Sequence, residues 1–93
     1  MVQVEAINYA GQPTLSFKQL DELNSASKGT AFSAFKRRKN LLVENLDFFY
    51  LAGKEHDAFI EQLKASGQIY RSTTHLVLLT RGGYERLLSP SGN

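Results

Sequence analysis

Four consecutive cations, Lys36, Arg37, Arg38 and Lys39, are the residues of this chain best placed to do chemistry, with Lys28, Thr30 and Ser33 shortly before them. Ammonium and guanidinium groups neutralise phosphates, and short hydroxyl side chains can approach base edges, so the combination suits duplex DNA. Catalytic or metal chemistry has much less support. The two histidines, His56 and His75, have no second ligand type at metal spacing, and no nucleophile elbow, phosphate-binding loop or paired-carboxylate context is present. The chain has no Cys, which excludes disulfides, thiolate catalysis and Cys-rich zinc sites. The expectation is a binding module that is not an enzyme and needs no cofactor.

Position on a helix decides which cations can face a partner. At roughly 100° per residue, Ala31, Phe32, Phe35 and Leu42 gather on one side. Gly29, Thr30, Ser33, Lys36, Arg37 and Asn40 gather on the other, while Arg38 and Lys39 fall towards the apolar margin. The residues at 28–40 therefore read as a recognition helix with Ser27 as its cap: small polar groups first, cations afterwards. The preceding segment supplies the bracing helix. Ser16 and Gln19 match a capping box, and Leu15 and Leu20 a hydrophobic staple. Phe17, Leu20 and Leu23 form the inward face, with Lys18, Asp21 and Glu22 expected outside. Residues 24–26, Asn-Ser-Ala, break the pattern, giving a helix-turn-helix across 16–42. Asp21 stands where the commonest such motif has a small residue, and Ser25 where it has Gly.

The rest of the chain builds the support. Val2, Val4 and Ala6 alternate with polar residues, and a turn at 10–13 followed by Thr14 and Leu15 predicts an N-terminal hairpin. Phe48, Phe49, Tyr50 and Leu51 read as a buried strand, and Phe59, Ile60 and Leu63 as the inner face of a helix over 54–66 stopped by Gly67. Ile69–Tyr70 and 76–79 are expected to be strands joined by Arg71, Ser72, Thr73, Thr74 and His75, the tip of a β-wing in which Arg71 and Thr73 contact sugar-phosphate. Thr80 caps a final helix to about residue 88, weakened by Gly82 and Gly83. One domain over 1–88 and a flexible tail at 89–93 are expected. No apolar run approaches the roughly 20 residues needed to span a bilayer, and the N-terminus does not read as a secretion signal, so cytoplasmic residence is expected. Net charge is only +2, but it is unevenly distributed, with the cations concentrated at 36–39.

The stretches GQPTLSFKQLDEL, SKGTAFSAFKRRKNLLVENLDFFYL and HLVLLTRGGYERLL, in that order, resemble a phage DNA-binding family. It is the ORF-six N-terminal domain of antirepressor-type regulators, related to the KilA amino-terminal domain. The resemblance spans about residues 7 to 88. It implies an α+β, winged-helix-like module that binds double-stranded DNA through the 28–40 helix in a phage or prophage transcriptional regulator. It supplies no catalytic residues. The candidate DNA contacts are then Lys28, Thr30, Ser33, Lys36, Arg37, Asn40, Arg71 and Thr73, with another phage or host regulatory protein as a second partner. The alternative is a protein–protein adaptor that meets a repressor or polymerase through its apolar strands and does not touch DNA.

Overall fold

The structure, a computed structural model, describes residues 5–88. Its centre is the run LVLLT, strand β4 (Leu76–Thr80), which is buried at every position. A strand sends alternate side chains to opposite faces, so an unbroken apolar run requires cover on both. Val77 and Leu79 join a cluster with Leu15, Leu20, Ala31, Phe35, Phe48 and Leu87 on one face. Leu76 and Leu78 join Ile7, Phe49, Leu51, Ile60, Leu63 and Ile69 on the other.

The remaining strands are β1 (Ile7–Tyr9), β2 (Gln12–Leu15) and β3 (Phe48–Leu51), and the sheet order is β1-β2-β4-β3, antiparallel throughout. Helices α1 (Phe17–Leu23), α2 (Thr30–Arg38) and α4 (Arg81–Leu88) cover the first face, and α3 (Asp57–Ser66) covers the second. Among the described residues, the protein is a small α+β domain with four α-helices and a four-stranded antiparallel sheet. No helix among the described residues is long and apolar enough to cross a membrane.

The N-terminal hairpin forms, but its first strand is Ile7–Tyr9, starting after Ala6, the last residue of the expected alternation. Val2, Val4 and the tail at 89–93 lie outside the described residues. Ala10 and Gly11 both have positive φ, 55° and 78°, the primed two-residue turn whose twist suits a hairpin. Pro13 is tolerated inside β2 because it faces Asn8 one step beyond the turn-closing pair Tyr9 and Gln12. That is a non-hydrogen-bonded position towards β1, and pairing with β4 starts only at Thr14.

The expected C-terminal wing is not built from 68–80. Ile69 is buried against the α3 side of the sheet, and residues 68–75 form bends and turns. β4 pairs instead with β2 and β3. A strand with two apolar faces gains more from the centre of a sheet than from an exposed hairpin. Helix α3 starts at Asp57, later than the expected 54, because 52–56 is occupied by turns closed on the Ala52 carbonyl. It ends at Gly67 (φ 80°), as its sequence implies.

Thr80 caps α4, its hydroxyl accepting from the Gly83 N–H at 3.1 Å. The two glycines that follow have different reasons. A Cβ at Gly83 would lie 1.8 Å from the Asp47 carbonyl oxygen, whereas one at Gly82 would meet nothing closer than 4.0 Å. Gly83→Ala should therefore destabilise the fold by about 1–3 kcal/mol or more through overpacking. Gly82→Ala should stabilise it by about 0.5–1 kcal/mol through helix propensity. Denaturant unfolding of the two variants checks both signs.

Candidate nucleic-acid interface

Helix α1 begins as its sequence implies. The Ser16 hydroxyl accepts from the Gln19 N–H at 3.2 Å, and Gln19 Oε1 accepts from the Ser16 N–H at 3.0 Å. Its inner face departs from expectation. Leu20 is buried, but Leu23 is 43% exposed and Asp21, expected outside, is only 3% exposed. One Asp21 carboxylate oxygen accepts from the Ala31 N–H at 2.8 Å, and the other from the Gly29 N–H at 3.0 Å and from the Tyr70 hydroxyl. Asp21 is thus the N-terminal cap of α2, supplied by the neighbouring helix.

That arrangement resets the start of α2. The helix begins at Thr30, with Gly29 at the cap position in a left-handed conformation (φ 92°) and no side-chain cap of its own. Ser27 contributes only its carbonyl, to the Thr30 N–H. The chain reaches this point through Ser25, which adopts φ 52° where glycine is the usual residue. The helix ends at Arg38, and Asn40 lies in a separate 3₁₀ turn, Lys39–Leu41.

The single polar face expected on this helix is really two stripes. Thr30, Ser33 and Arg37 are exposed and share one side at helical spacing. Ala31 and Phe35 are buried in the core. Gly29, Phe32, Lys36 and Lys39 line a third side, which forms one wall of a cleft of about 720 Å³. Phe32, assigned above to the core side, is 46% exposed and has the Lys36 ammonium 4.6 Å from its ring centre. Lys39, expected at the apolar margin, is exposed. Arg38 does lie at that margin and donates to the Leu87 carbonyl at 3.0 Å.

Of the other candidate residues, Lys28 lies between α1 and α2, whereas Arg71 and Thr73 fall on the loop after α3. Lys28 is exposed with its ammonium 5.1 Å from the Tyr70 ring, and it lines the cleft. Thr73 is half-buried in the opposite cleft wall. Arg71 is exposed beside a second, smaller depression that it shares with Lys18, Lys28 and Lys64. Neither Arg71 nor Thr73 sits on a wing tip. Asn40 is exposed and lines neither depression. The ion pairs among the described residues, Lys64–Glu61, Arg81–Glu85 and Arg86–Asp47, engage none of Lys28, Lys36, Arg37 or Lys39.

Two contributors lie beyond the sequence reading. Asp21 orients α2, and Tyr50, assigned to a buried strand, is 47% exposed in the cleft. No local signal marks Tyr50 as exposed, because in β3 it shares the sheet face of the buried Phe48. Compared with known proteins, the chain matches no family model, no curated protein and no solved structure.

Burial, followed by the hydrogen bond to Asp21, pushes the Tyr70 phenol up to about 12. The folded state then holds this proton more tightly than the unfolded chain does. Its stabilisation is intact below about pH 10, the ordinary tyrosine value, and is lost as pH rises towards 12. Unfolding free energy should fall over that interval, and Tyr70→Phe should flatten the fall. Asp21→Ala should cost about 2–3 kcal/mol by leaving the Gly29 and Ala31 N–H groups unmatched. Combined with Tyr70→Phe it should cost less than the sum of the two, as a double-mutant cycle in urea would show.

Proposed function

We propose that the protein is a sequence-specific double-stranded DNA-binding domain of the phage-regulator type its sequence resembles, acting in the cytoplasm as a binding module rather than an enzyme. The observation that carries this reading is the exposed Thr30, Ser33 and Arg37 stripe on a helix whose inner side is fixed in the core. Small hydroxyl groups in the first turns of a helix can reach base edges in the major groove, and a later guanidinium reaches phosphate. Asn40 continues the exposed polar surface, and Lys36 flanks it from the cleft side. In this reading loop 70–75, with Lys28 beside the Tyr70 ring, serves as the flanking contact that the sequence assigns to a wing.

The adaptor reading draws on a different observation. The strands it first relied on are buried apart from Tyr50, but Leu41, Val43 and Leu46 are 63, 53 and 64% exposed just beyond the basic run. In that reading these residues meet a repressor, polymerase or other regulatory protein, and the chain does not contact DNA.

Salt dependence tests the DNA reading. Arg37→Ala should weaken binding to all duplexes and reduce the magnitude of the log K against log salt slope by about 0.9, the value for one phosphate contact. Ser33→Ala and Thr30→Ala should instead flatten sequence preference, by about 1 kcal/mol at the affected base pair, with little change in slope. Absence of duplex binding at low salt contradicts the proposal.

A further inference from the structure

The cleft beside α2 has a composition that a duplex-reading helix does not require. Its floor and walls include Phe32, Tyr50 and Tyr70, and its rim carries Lys28, Lys36 and Lys39. It adjoins the second depression, with Lys18, Lys28, Ile69 and Tyr70 lining both, and that depression adds Lys64 and Arg71. Six of the eleven Lys and Arg residues of the chain therefore border these two adjoining depressions, which together form the trough, against Glu44 alone among its nine acids.

The aromatic rings are held in place. Tyr50 stacks on His75, with ring centres 5.9 Å apart and planes inclined by 28°. His75 is fixed in turn by its Nδ1, which accepts from the Gly53 N–H at 3.1 Å. The loop lies so close to Gly53 that a Cβ there would be 2.2 Å from the Thr74 carbonyl oxygen. Phe32 leans on Phe17, which leans on the buried Phe35 at 5.3 Å, so the exposed ring is anchored to the core. Rings that are already ordered can receive a flat ligand with little further loss of side-chain freedom.

We propose that this trough binds single-stranded DNA, with bases stacked at Phe32 and Tyr50 and phosphates on Lys28, Lys36 and Arg71. Aromatic platforms beside a line of cations are the means by which proteins hold an unpaired strand, because every base offers a π-face and every linkage a charge. An acidic amphipathic helix would need a continuous apolar stripe, but here the apolar floor gives way past Tyr70 to a trough walled by Lys18, Lys64, Ser66 and Arg71. The aromatic platforms Phe32 and Tyr50 lie outside the Thr30, Ser33 and Arg37 stripe, and they distinguish this site from the duplex reading, with which it shares the cations Lys28, Lys36 and Arg71.

The test is fluorescence anisotropy with a labelled short oligothymidylate at low salt, beside a random duplex, an oligouridylate of the same length and an acidic amphipathic peptide. The intact chain should bind oligothymidylate. Tyr50→Ala and Phe32→Ala should each weaken that binding by roughly five- to hundredfold. Lys36→Met, which keeps the side-chain stem, should weaken it and reduce the salt slope by about 0.7. Circular dichroism melting establishes that each variant is folded, and Tyr50→Leu serves if Tyr50→Ala is not. Duplex binding should survive Tyr50→Ala, so failure of the helix reading and failure of the cleft reading give different results. The proposal is overturned if folded Tyr50 and Phe32 variants bind oligothymidylate within twofold of the intact chain. It is also overturned if the intact chain does not bind it, or if the oligouridylate or the peptide binds more tightly.

Discussion

A buried carboxylate normally has to be offset by several donors, and Asp21 has three, from two parts of the chain outside its own helix. It sits in α1, binds the N–H groups of Gly29 and Ala31 at the start of α2, and holds the hydroxyl of Tyr70 in the loop after α3. The first N–H groups of a helix are unmatched and carry partial positive charge, so an anion there is favoured twice, as acceptor and as counter-charge. The consequence is geometric. One carboxylate fixes where α2 begins, how it lies against α1, and where the loop that faces it across the cleft is tethered.

The sheet supplies the other constraint. β4 buries side chains on both faces, which places three helices on one side and α3 on the other. On the three-helix side, β3 extends beyond the cover of α2, leaving Tyr50 open while Phe48 in the same strand packs edge-on against Phe35 at 5.1 Å. The cleft is the space between the helix that Asp21 orients and the strand end that the helix does not reach. Asp47 performs a matching service at the far end. It accepts from the Val43 N–H at 2.9 Å and brings its backbone carbonyl to the Thr80 N–H at 3.0 Å, locking the start of α4 to the turn before β3.

Local signals in the sequence were the ones that translated directly into structure. The Ser16 and Gln19 box, the Gly11 turn, the Gly67 stop and the Thr80 cap each depend on residues within a few positions of one another. Tertiary choices were less legible. Asp21 reads as a surface acid because its partners at 29, 31 and 70 cannot be recognised before the chain is folded. Ile69 and Tyr70 have strand composition, but burial under the sheet and the bond to Asp21 claim them individually. The candidate contacts on α2 were legible as exposed, whereas their division into two stripes depended on Phe32, whose large apolar ring suggested the core. Arg71 and Thr73 were assigned to a wing, and the wing depended on a pairing that β4 makes elsewhere.

The most direct measurement is an amide chemical-shift titration of the isotope-labelled chain with a short duplex, repeated at high salt. If α2 is the reading element, the amides of Thr30, Ser33 and Arg37 shift first and most, and the shifts collapse as salt is raised. Shifts confined to Leu41, Val43 and Leu46, or to α3 on the opposite face of the sheet, would contradict the account.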